Sequence, residues 1–231
     1  KITNPIALRR LQNFRKNRRG YISFWIFLFL LGLTLPAEFI ANDKPIVVSF
    51  QGKIFFPIFK EYKETEFGGV FKTEADYTDP FVIKKIESQG WIINPMVPFD
   101  HQTVSWNLTM PAPSAPDSIH ILGTDDQARD VLARVIYGFR ISVIFGFTLT
   151  IVSAVIGIFA GALQGYFGGW VDLIGQRFIE IWSGMPTLYL LIILASIIEP
   201  NFWWLLGLLL LFSWMGFVGV MRAEFLRARN F

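Results

Sequence analysis

Four long apolar runs, three of them after residue 140, constrain this chain more than anything else in it. Residues 141–163 and residues 202–221 carry no charge, and residues 181–198 continue apolar from an amphipathic start at Gln176. The earliest run, residues 21–41, is uncharged from Tyr21 to Pro36, with Glu38 near its far end. A hydrocarbon core about 30 Å thick is crossed by about 20 helical residues rising about 1.5 Å each. Each run is of that order. The expectation is a mainly α, polytopic helical membrane protein with four spans in these residues.

Charge placement orients the spans. Arg9, Arg10, Arg15, Lys16, Arg18 and Arg19 precede the first run, with no acid before Glu38. A solvated tail would explain them, but positive charge beside a span marks the cytoplasmic side. A cleavable signal peptide would have a shorter apolar core ending in small residues. Here the run ends in Glu-Phe-Ile-Ala-Asn-Asp, which favours a retained span. With residues 1–20 as a cytoplasmic basic arm, the fourth span returns to the cytoplasm, where Arg222, Arg227 and Arg229 wait.

Residues 42–137 are polar, mixed in charge and hold most of the prolines. Ile46–Phe50 and Lys53–Phe56 flank Gln51-Gly52 and predict a β-hairpin. Asp79-Pro80 predicts a capped helix running to Glu87. Trp91–Ile93 suggests a further strand, and Pro111, Pro113 and Pro116 an extended connector. Together they predict a small α/β domain on the outer face, inserted between spans 1 and 2. Thr124-Asp-Asp-Gln127 reads as a capping box, with a helix through Asp130–Arg140 feeding the second span.

Chemistry is sparse. Asp125, Asp126 and Asp130 with His120 crowd a helix start, where acids also favour the dipole. There is no His-x-x-x-His, no carboxylate ladder and no Cys, so no metal site is expected. His101 reads as a structural residue. No Walker A loop, Gly-x-Ser-x-Gly elbow or dinucleotide fingerprint occurs, so no catalytic residue is assigned and the chain is not expected to hydrolyse ATP itself. Gly157 and Gly161 have the spacing that lets membrane helices approach closely. Arg177 and Glu180 can pair at i, i+3. Pro186, after Ser183-Gly184-Met185, predicts a kink in the third span.

The ordered blocks of the chain resemble a known family. His120-Ile-Leu-Gly-Thr-Asp125, Arg129-Asp-Val-Leu-Ala-Arg134 and Ile136-Tyr-Gly-Phe-Arg140-Ile-Ser142 are similar to the signature of dipeptide/oligopeptide permease subunits of ABC importers. So are Gly161-Ala-Leu-Gln-Gly-Tyr-Phe-Gly-Gly169 with Asp172, the block of Arg177, Glu180 and Pro186, and Trp214 with Val220, Arg222 and Leu226. Arg18-Arg-Gly-Tyr21, Ile40-Ala-Asn-Asp-Lys-Pro45 and the run from Arg177 to Pro186 look closer to the YejE-type branch, associated with oligopeptides and the peptide-nucleotide antibiotic microcin C. Ala128 stands where the family usually has Gly, and Glu180 where Asp is common.

The resemblance implies an inner-membrane transport subunit that imports peptide by alternating access. The implied partners are a YejB-like second permease, a YejF-like cytoplasmic ATPase carrying the ATP and Mg, and a YejA-like periplasmic solute-binding protein. No cofactor is implied in this chain, and no nucleic acid. Thr124, Asp125, Arg129, Asp130 and Arg134 would border the periplasmic mouth, where the binding protein docks. Gly184, Met185 and Pro186 would border the substrate pathway. Arg222, Glu224 and Arg227 would begin the region coupled to the ATPase. Residues 138–231 would begin the permease domain, with the ATPase-docking loop and two further spans of a six-span subunit beyond them. A membrane-anchored periplasmic sensor or scaffold is the rival reading.

Overall fold

The computed structural model describes residues 5–106, 108, 110–199 and 201–229, so the first four residues of the basic arm and Pro200 in the last connector lie outside the described residues. Two compact units divide the chain, Lys1–Ile141 and Ser142–Phe231.

In the first unit the basic arm is helical (α1, Pro5–Lys16) and is followed by α2 (Arg18–Thr34). The Asn17 side chain accepts a hydrogen bond from Gly20 N and so caps α2. The apolar run is helical from Tyr21 to the end of α2 at Thr34, then breaks at Pro36 before the short α3 (Ala37–Ile40). Proline has no N–H for the ladder, so the run is not one continuous helix. Strands β1 (Val47–Phe50), β2 (Lys53–Phe55) and β3 (Gly90–Ile93) form an antiparallel sheet in the order β2-β1-β3. Gln51 and Gly52 both have positive φ, 50° and 76°, which matches the twist of a two-residue hairpin.

Helix α4 (Pro80–Glu87) begins at Asp79, whose carboxylate accepts from Phe81 N, with Pro80 at the first helical position. Val48 and Phe50 alternate inward from β1 and meet Val82 and Ile86 of α4, with Phe67, Ala75 and Tyr77 completing the core. Complete burial of a side chain such as Ile86 contributes roughly 1.5–3 kcal/mol. A second cluster joins Ala37 and Ala41 to Val97, Ala133 and Tyr137. The Tyr137 hydroxyl donates to Ala41 O at 2.9 Å, and Arg140 grips Glu38 through two hydrogen bonds of 2.9 and 2.8 Å.

Helix α5 (Val131–Phe167) crosses from the first unit into the second. The second unit adds α6 (Gly169–Ser183), α7 (Thr187–Ile197), α8 (Phe202–Ser213) and α9 (Met215–Arg229). Val131–Phe167 and the 28-residue stretch Phe202–Arg229 are each long and apolar enough to cross a membrane. The α6–α7 pair, bent by 66°, counts as a third crossing if it is one span. Phe147, Ile151, Val155 and Phe159 on α5, and Leu188, Ile192 and Ile193 on α7, are exposed. An apolar surface of that extent is a liability in water and ordinary against lipid.

Candidate functional site

Helix α5 does not start at the sequence's capping box. Thr124 Oγ1 instead accepts from Ser114 N at 3.0 Å. Ala128 turns the chain with φ at 59°, and Asp130 caps α5 by accepting from Ala133 N at 2.8 Å. The Asp125 carboxylate organises the intervening loop. It accepts from the backbone of Gln127 and Arg129, and pairs with the guanidinium groups of Arg129 and Arg134. Burial pushes this carboxyl up, but the Arg129 and Gln127 hydrogen bonds and the Arg129 charge outweigh it and hold it at about 2. Behind the loop, His120 Nδ1 lies 2.9 Å from Asp130 Oδ2, and its ring stacks on Phe99.

Of the five residues assigned to the mouth, Thr124 and Asp130 are buried, Asp125 and Arg129 half-buried, and Arg134 exposed. One loop and the first turn of α5 therefore bring all five together, with Asp130 and Thr124 as internal supports. His120 completes the arrangement. Ten residues separate it from Asp130, so helical periodicity cannot pair the two. His101 stacks on Tyr137 and pairs with Asp100, in keeping with a structural residue.

The second unit is built on a ladder of small residues. Gly157, Gly161 and Gly165 of α5 face the backbone carbonyls of Trp214, Val218 and Arg222. All six are spaced by four, so two helix faces run against each other for two turns. A Cβ on Gly161 would lie 2.6 Å from Val218 O, and one on Gly165 2.7 Å from Arg222 O. Ser153, one turn earlier and buried, hydrogen-bonds Ser213. The four-residue spacing from Ser153 through Gly165 is visible in the sequence; reading only the Gly-x-x-x-Gly pair missed its two ends.

Helices α6 and α7 meet at Gly184-Met185-Pro186. Pro186 cannot donate into the α6 ladder, and its carbonyl starts α7 by accepting from Tyr189 and Leu190 N. Gly184 and Pro186 are exposed and Met185 is half-buried. Trp182, at the end of α6, stacks on Phe212 and donates to Leu211 O at 2.9 Å, which fastens the bend to α8. Arg222 of α9 forms a two-pronged pair with Asp172 of α6, fifty positions earlier. Beside that pair, Gln176, Arg177 and Glu180 help line an open cleft of about 610 Å³. Arg177 and Glu180 pair with each other at 2.5 Å, and Glu224 and Arg227 pair on exposed α9 at 2.6 Å.

The geometry defines a polytopic helical membrane protein whose last spans form a close-packed, bent bundle. Residues 153–231 match the family described as binding-protein-dependent transport system inner membrane component. Two relatives are 54% identical over 99% of this chain. One is the inner membrane ABC transporter permease protein YejE of Escherichia coli, of which the match covers 67%. The other is the peptidoglycan transport system permease protein YejE of Agrobacterium fabrum, of which it covers 66%. The oligopeptide transport system permease protein OppC of Haemophilus influenzae is 31% identical over 65% of this chain and 47% of its own length. The chain belongs to the inner-membrane permease family of ABC transporters that includes the YejE proteins. It spans about two thirds of the length of the YejE relatives.

Proposed function

We propose that this chain is one permease subunit of an ABC importer that carries peptide-bearing substrates into the cytoplasm by alternating access. The observation that carries the reading is the 54% identity to YejE permeases over 99% of the chain. The relatives' names speak of oligopeptide and peptidoglycan transport, and a peptide chain is common to both cargoes. Oligopeptides and microcin C-like conjugates are the proposed substrates. The proposed partners are a YejB-like permease, a YejF-like ATPase that binds ATP and Mg, and a YejA-like binding protein. The seven arginines and lysines before the first apolar run support a cytoplasmic N-terminus.

In this reading the exposed Arg134 and half-buried Asp125 and Arg129 meet the binding protein, with Thr124 and Asp130 holding the loop from behind. The bend at Gly184–Pro186 borders the substrate pathway. The Asp172–Arg222 pair braces the start of the coupling region, with Glu224 and Arg227 beside it. The test is uptake of a labelled oligopeptide into proteoliposomes holding the full-length subunit with its partners. Uptake that needs ATP and the binding protein supports the proposal. Uptake indifferent to ATP contradicts it.

A further inference from the structure

The sheet domain holds a cleft of about 400 Å³ that the transport reading leaves unused. Asp43, Glu74 and Asp76 line it against a single cation, Lys44. Lys44 pairs with Glu74 at 2.5 Å and feels the Asp43 charge, but neither Asp43 nor Asp76 has a cation within ion-pair distance among the described residues. Each uses one carboxylate oxygen locally: Asp43 accepts from Thr103 Oγ1 at 2.9 Å, and Asp76 from Thr78 N at 2.8 Å.

Tyr77, 8% exposed, also lines the cleft, and its hydroxyl has no hydrogen-bond partner. A buried hydroxyl without a partner is uncommon and calls for an explanation. Burial, then the nearby Glu74 charge, push the phenol far above its ordinary range, so it is neutral and both donates and accepts. At the rim stands Trp106, 88% exposed, an aromatic face turned to solvent. Thr78, Thr103, Val104 and Trp106 also line an adjoining cleft of about 330 Å³, closed by Phe99 and Ile119 and holding a second unpartnered hydroxyl, that of Ser105.

We propose that these joined clefts bind the amino terminus of a peptide whose first side chain is apolar. The ammonium sits between Asp43 and Asp76, as a charge-assisted donor to both. Tyr77 accepts from the ammonium and donates to the first peptide carbonyl, which satisfies the orphaned hydroxyl. The first side chain enters the second cleft beside Phe99 and Ile119, with Trp106 over the cation. The site does not depend on the transport reading, because it lies wholly within the sheet domain and the loop that follows.

The test is calorimetric binding of Leu-Ala-Ala and of N-acetyl-Leu-Ala-Ala to the full-length subunit in nanodiscs. Acetylation removes the charge and is expected to weaken binding about ten-fold or more. Y77F and W106A are each expected to weaken it several-fold, while the Y77F thermal midpoint stays at or above that of the wild type. Equal affinity for the two peptides, or unchanged affinity in both variants, overturns the proposal. So does the absence of any binding to the free peptide.

Discussion

His120 Nδ1 lies 2.9 Å from the carboxylate of Asp130, and both side chains are almost wholly buried. The other Asp130 oxygen caps α5 at Ala133, so one carboxylate joins the loop before α5 to that helix. Asp130→Ala removes the cap and leaves a buried imidazole without its partner. An orphaned buried polar group costs about 1–3 kcal/mol, and loss of a helix cap about 1 kcal/mol more. The variant is expected to lose folded protein, read as recovery and thermal midpoint in detergent. Arg134→Ala, at an exposed position, is expected to assemble normally and to lower uptake. Normal stability in Asp130→Ala contradicts the supporting role of that residue.

The glycine ladder makes a position-specific prediction. Gly161→Ala places a methyl group 2.6 Å from Val218 O, where nothing soft can yield. Overpacking of this kind costs about 1–3 kcal/mol, and the backbone contact puts this case at the upper end. Gly146→Ala, on the same helix with nothing within 4 Å of the new atom, is the control. The thermal midpoint of purified protein should fall for the first and hold for the second.

The Asp172–Arg222 pair should behave as one unit. Asp172→Asn and Arg222→Gln each leave a charge facing its former partner, and the double variant should be less damaged than the sum of the two. A coupling of about 0.5–3 kcal/mol in a double-mutant cycle is the expected range for such neighbours. Strict additivity would show that the two side chains do not act together.

Acid should loosen the loop before α5 through Asp125. Its carboxyl is held at about 2 in the folded protein, below the ordinary value of 3.8. The stability it contributes is therefore complete above about pH 4 and is lost as the pH falls from there through about 2. Asp125→Asn should be less stable than the wild type at pH 7 by about 1.5–3 kcal/mol, the worth of hydrogen bonds to charged groups. That difference should shrink toward pH 2 in unfolding curves.

Pro186 should set the 66° bend between α6 and α7. The chain has no cysteine, so Ile174→Cys with Ile193→Cys gives two clean spin-label sites on exposed positions. Pro186→Ala restores a backbone donor, and the distance between the labels should lengthen as the pair straightens.

Local signals in the sequence translated well into local structure. Asp79-Pro80 starts a helix, Gln51-Gly52 turns a hairpin, and Pro186 sits at the bend between α6 and α7, because each acts through its own backbone or that of its nearest neighbours. The Thr124 capping box failed for a related reason. Its residues offer the right hydrogen bonds, but Ser114 takes the Thr124 hydroxyl and Ala128 turns the chain out of helix first. The pairs that position the rest are long-range: Glu38 with Arg140, His120 with Asp130, Asp172 with Arg222. Partners ten to a hundred residues apart leave no periodicity to read. In the same way, nothing in the spacing of Tyr77 and Ser105 foretold two hydroxyls without partners in adjoining clefts.

The central claim is that this chain works as one subunit of an ATP-driven importer. The most direct measurement is purification of the tagged full-length subunit in a gentle detergent, with the co-purifying chains identified by mass spectrometry. The account predicts a stoichiometric cytoplasmic ATPase and a second multi-span permease. A protein that purifies alone, under conditions that preserve other transporter complexes, would contradict it.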